Sequence, residues 1–126
     1  MTRNAPEQLS LLGWVPPNPV VRFDPRLIQA NLFTSRLSRA IAVSLDTCGR
    51  SREQIALDMS ALLERPVSIN MLNAYASVQR EGHQISVPRF NALISATRDR
   101  RLAEFLVEPF GWAVIERRYL PAIELA

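Results

Sequence analysis

Asn70, Asn73 and Ser77, with arginines at 50, 52, 80, 89, 98, 100 and 101 around them, are the residues of this chain best suited to recognition chemistry. An asparagine amide sets a donor beside an acceptor, the pattern that pairs with an adenine edge. The flat arginine fork meets phosphate or the guanine edge. On a helix capped by Ser68, the residues Asn70, Asn73 and Ser77 fall on the solvent side, with Gln79 and Arg80 following. Arg50 and Arg52 stand by the free amides that open the preceding helix, where a phosphate can be held. Arg89, Arg98, Arg100 and Arg101 are further phosphate-contact residues. The same residues are also ordinary surface chemistry, and two capped helices with a turn occur in many helical domains.

Catalytic chemistry has less to stand on. Cys48 and His83 are the chain's one cysteine and one histidine, far apart in sequence. They could form a nucleophile–base pair, but Cys48 ends an apolar helical stripe, where a small buried thiol is the simpler reading. Asp46, Glu53, Asp58, Glu64, Glu104 and Glu108 show no pairing suited to acid–base work or a magnesium site, and four glycines make no phosphate-binding loop. A structural zinc site draws four ligands from Cys and His, and this chain has two such residues in all. The expectation is a protein without enzymatic activity, metal or cofactor.

The elements that must position these residues read as helices. Asp24-Pro25 is a cap followed by a first-turn proline, and Ala30, Phe33, Leu37, Ala40, Ile41 and Leu45 recur every three or four residues. That spacing predicts a long first helix over residues 27–48, closed by Gly49. Ser51 with Gln54 makes a capping box for a second helix, whose stripe is Ile55, Ala56, Met59, Leu62 and Leu63. Arg65-Pro66 stops it, since the residue before proline avoids helical geometry. Ser68 opens a third helix running to Gln79, with Met71, Leu72, Tyr75, Ala76 and Val78 inward, followed by a polar loop over residues 80–84. Ser86 caps a fourth, with Phe90, Leu93, Ile94 and Thr97 inward. Asp99 caps a fifth, carrying Leu102, Ala103, Phe105 and Leu106 and ended by Pro109 and Gly111. The tail over residues 112–126 reads either as a short strand or as a terminal helix broken at Pro121. The class is all-α: a compact bundle of about five helices containing a helix–turn–helix.

Residues 1–25, with five prolines, read as an extended or flexible arm, leaving residues 26–126 as the helical domain. The 126 residues suffice for one domain with a modest core. All fifteen cations are arginine, and against twelve carboxylates they leave a net charge of +3, too small to imply nucleic acid by itself. Prolines 16, 17 and 19 interrupt any secretory apolar run, and no stretch approaches the roughly 20 apolar residues of a membrane span. A cytoplasmic protein is expected.

From Glu53-Gln54-Ile55-Ala56 through Val67-Ser68 and Met71-Leu72-Asn73-Ala74-Tyr75 to Ile85-Ser86-Val87-Pro88-Arg89-Phe90 and Ala96-Thr97-Arg98-Asp99, the chain resembles small phage regulatory proteins. These are of the CII-like and repressor-like helix–turn–helix type. The ending Glu108-Pro109-Phe110-Gly111-Trp112 is similar to that of small proteins of Mu-like transposable prophages. The resemblance covers about half the chain and implies a phage or prophage regulator binding double-stranded DNA. The usual motif has a turn of about three or four residues with glycine, and here residues 63–67 lengthen it. A homodimer is expected, because one short helix reads few base pairs. Separately, Gln8-Leu9-Ser10-Leu11-Leu12 resembles the short peptide by which bacterial proteins dock on the replication sliding clamp. The second functional reading is therefore a non-enzymatic adaptor in phage replication or transposition, binding a protein partner through this arm.

Overall fold

The computed structural model describes residues 20–79 and 84–125. Within them the chain is all-helical, with no strand: α1 Phe33–Thr47, α2 Arg52–Leu63, α3 Ile69–Tyr75, α4 Val87–Thr97, α5 Arg100–Val107 and α6 Leu120–Leu125. Single 3₁₀ turns lie at Glu108–Phe110 and Arg117–Tyr119. The first five helices belong to one compact unit, Val21–Val114, and residues 115–125 to another.

In the larger unit α2 packs most extensively on α4 and also against α3, while α1 packs on α5 and α3. The centre is made by Ile41 of α1, Ile55 and Met59 of α2, Leu72 of α3, Leu93 of α4 and Leu102 of α5, all fully buried. These are stripe residues read from the three- and four-residue spacing, so apolar burial selects the helix faces. Phe23, two residues before the boundary that the prolines mark, also lies in this core.

The caps follow the serines and the aspartate. Ser51 Oγ accepts from Gln54 N at 3.1 Å while Gln54 Oε1 accepts from Ser51 N at 3.1 Å, a full capping box. Ser68 and Ser86 accept from Met71 N and Arg89 N, and Asp99 from Arg101 N. Gly49 takes the left-handed conformation (φ +84°) after α1. Glu64 and Arg98 take it at the ends of α2 and α4, with φ of 55° and 59°.

Two helix limits differ from the sequence reading. The first helix starts at Phe33, not near residue 27. Asp24 closes a turn instead: its carbonyl accepts from Leu27 N at 2.9 Å, and its carboxylate accepts from the Arg26 amide and guanidinium. Arg36 Nη1 then donates to the carbonyls of Ala30 and Asn31 at 3.1 and 3.2 Å, acceptors that a longer helix would fill with its own amides. The third helix ends at Tyr75, short of Gln79. Ala76 N reaches both Leu72 O and Ala74 O, and Ser77 N turns to Ala74 O at 3.2 Å. In the tail, Pro121 sits in the first turn of α6, where its missing N–H costs nothing. There the Arg118 guanidinium lies 5.0 Å over the Tyr119 ring.

Candidate nucleic-acid interface

The turn joining α2 to α3 is organised by one hydroxyl. Ser60 Oγ donates to Ala56 O at 2.7 Å and accepts from Val67 N at 2.8 Å, which ties the turn back to the second-last turn of α2. Glu64 in the left-handed region reverses the chain, and Val67 drops into the core. With Ser68 as cap, the start of α3 is fixed against α2 through residues 64–68, a five-residue connection one residue later than the 63–67 read from the sequence, because Leu63 still belongs to α2.

Asn70 and Asn73 are exposed on α3. Asn73 Oδ1 accepts from Arg52 Nη1 at 2.5 Å, and Arg52 Nη2 donates to Asp46 Oδ1 at 2.8 Å. One arginine thereby links α1, α2 and α3. Ser77 does not share this helix face: it is half-buried in the turn after α3, because the helix stops at Tyr75.

The arginines divide by what they already hold. Arg50 Nη2 lies 2.6 Å from Asp58 Oδ2, and both side chains keep over a third of their surface exposed. The amides beside it are less open than expected, since the capping box occupies Ser51 N and Gln54 N. Arg89 Nη1 donates to Tyr75 Oη at 2.7 Å and contacts Met71 Sδ at 3.3 Å, clamping α4 to α3. Arg98 is exposed at the end of α4. Arg100 is half-buried on α5, within two residues of it.

Arg101 is built into the fold. Its guanidinium grips Asp99 at 2.8 Å through both Nε and Nη2, donates to Thr47 Oγ1 at 2.7 Å, and lies 4.5 Å over the Phe23 ring. Burial of Asp99 would raise its pKa. The Arg101 hydrogen bonds and charge, with a contribution from Ser44, outweigh that and hold the carboxyl below its usual value.

Arg80 and the arm residues Gln8, Leu9, Leu11 and Leu12 lie outside the described residues, as does His83. Cys48 is half-buried at the end of α1, its thiol near the carbonyls of Leu45 and Arg50. Among the described residues no three His, Cys, Asp or Glu side chains cluster as metal ligands, and no helix is long and apolar enough to cross a membrane.

Sequence reasoning missed three features. Arg65, exposed in the turn itself, is not among the phosphate contacts expected from the chain. The Arg89–Tyr75 bond joins residues 14 apart, with no local signal. Glu104 is buried and accepts from Val114 N at 2.8 Å, a use that helical periodicity does not reveal. No family model, curated protein or solved structure matches the chain.

Proposed function

We propose that this chain is a sequence-specific DNA-binding regulator of phage or prophage origin, cytoplasmic, non-enzymatic and dimeric, acting on transcription through a helix–turn–helix. The observation that carries the reading is the α2–α3 pair. Two serine-capped helices are locked at a five-residue turn, with Asn70 and Asn73 on exposed positions, Arg52 half-buried beside Asn73, and Arg50, Arg65 and Arg98 on neighbouring elements. Asn70 and Asn73 read base edges, and the arginines hold phosphates.

Arg50 and Arg52 already have carboxylate partners, which sets a condition on the reading. Both pairs are partly exposed, and ion pairs of that kind contribute only about 0–1 kcal/mol. A phosphate oxygen can therefore displace Asp58 or Asp46 at small cost, and counterion release from the duplex supplies the drive. When Arg52 turns to phosphate it frees Asn73 Oδ1, so phosphate contact and base reading are coupled through one hydrogen bond.

The test is a shift assay on mixed-sequence duplex at about 50 mM salt, repeated at about 200 mM. The reading expects binding that weakens steeply with salt, in proportion to the phosphates neutralised. Absence of any shift at the lower salt overturns it. Arg52→Ala should weaken all duplexes alike, whereas Asn73→Ala should relax sequence preference.

A further inference from the structure

The turn before α1 and the outer side of α5 enclose a cleft of about 350 Å³ that the DNA reading does not use. Its apolar wall is Phe23, Ile28, Phe33 and Phe105, with the Phe33 and Phe105 rings 5.3 Å apart between centroids. A volume of this size lies within the range of small-molecule sites.

Around that wall stand Arg22, Arg26 and Arg36, against a single lining carboxylate, Glu108. Glu108 answers Arg22 at 2.7 Å, and Asp24 answers Arg26 at 2.8 Å. Arg36 differs: among the described residues its guanidinium meets only neutral oxygens, the carbonyls of Ala30 and Asn31. Those two bonds fix the guanidinium at the edge of the cleft while leaving its charge uncompensated. An apolar wall beside a positioned, unbalanced cation is complementary to a molecule with an apolar body and one negative end.

We propose that this cleft binds a small amphipathic monoanion, an aliphatic or aromatic carboxylate, with its carboxylate on Arg36 and its body against Phe33 and Phe105. A neutral apolar molecule leaves the Arg36 charge unanswered, and a cation is repelled by it. A docked side chain from a second copy of this protein would need no carboxylate, which separates that occupant by experiment.

The full chain is titrated with octanoate, 1-octanol and octyltrimethylammonium, following heat and amide shifts in the absence of DNA. Octanoate should bind about tenfold more tightly than octanol, with shifts centred on Phe23, Ile28, Phe33 and Phe105. Arg36→Met should abolish that preference while octanol binding stays unchanged, and Arg36→Lys should retain it. Ala30→Phe, which fills the cleft, should weaken all binding there. Equal binding of the three probes, shifts centred on Phe110 and Trp112, or a preference that survives Arg36→Met would each overturn the proposal. Because no DNA is present, the outcome is independent of the duplex assay.

Discussion

Asp99 and Arg101 show how much one pair of side chains can do in a small helical unit. Asp99 caps α5 through Arg101 N, while the Arg101 guanidinium reaches back to Thr47 on α1 and covers Phe23. Removing the arginine leaves a mostly buried carboxylate without its counter-charge, so Arg101→Ala should destabilise the fold by about 3 kcal/mol in denaturant titration. The effect on pH dependence has a definite sign. The folded Asp99 pKa lies below its ordinary value of 3.8, so between the two the unfolded chain binds more protons. Stability from this pair is complete above about pH 4 and is lost as pH falls through the folded pKa. Asp99→Asn should therefore lower stability at neutral pH and flatten the acid limb of a stability–pH curve. Asp24, held down to about 2 chiefly by its Arg26 hydrogen bond, acts in the same direction and remains in the variant, so the comparison isolates Asp99.

Helix ends carry the next level of information, and their conformations make separable predictions. Gly49 closes α1 at φ +84°, with nothing within 4 Å of where a Cβ would stand. Gly49→Ala thus introduces backbone strain alone, expected to lower thermal stability by about 1 kcal/mol. Glu64 adopts the same region without being glycine, so Glu64→Gly should be stabilising by about 0.5 kcal/mol, the strain relieved less the flexibility gained. The serine and aspartate caps of α2 to α5 and most stripe positions were legible in the chain because they rest on local hydrogen bonds and a fixed period, but Leu62 and Leu106, read as inward, are exposed. The true start of α1 was not: Asp24-Pro25 is a good local start signal, yet burial of Phe23 and the Arg36 bonds to Ala30 and Asn31 override it. Ser77 failed for a similar reason, since nothing local distinguishes a helix ending at Tyr75 from one reaching Gln79. Of the candidate interface, the exposure of Asn70 and Asn73 could be read from the pattern, but the Arg52–Asn73 bond joins residues 21 apart and needed the fold.

At the scale of the whole molecule, α3 is only seven residues long, room for contacts to a few base pairs. Sequence specificity in the proposed function then requires two copies. The surface best suited to join them in the larger unit is the pair Phe110 and Trp112, whose tilted rings lie 5.1 Å apart between centroids while remaining 67% and 66% exposed. Two large exposed rings in mutual contact beyond α5 suit an apolar contact with a second copy, and aromatics dominate interface energies. Two interlocking results are expected. Sedimentation should show a concentration-dependent dimer, and Trp112→Ser should shift it toward monomer by tenfold or more in Kd, about 1.4 kcal/mol. The same variant should leave thermal stability of the monomer nearly unchanged, because the ring contributes little to the core. On DNA, binding should then fall from second toward first power in protein concentration while the chemistry of Asn70 and Arg52 stays intact. A Trp112→Ser protein that remains dimeric would place the contact elsewhere, and a wild-type protein that is monomeric when saturated with duplex would remove the dimer from the proposed function.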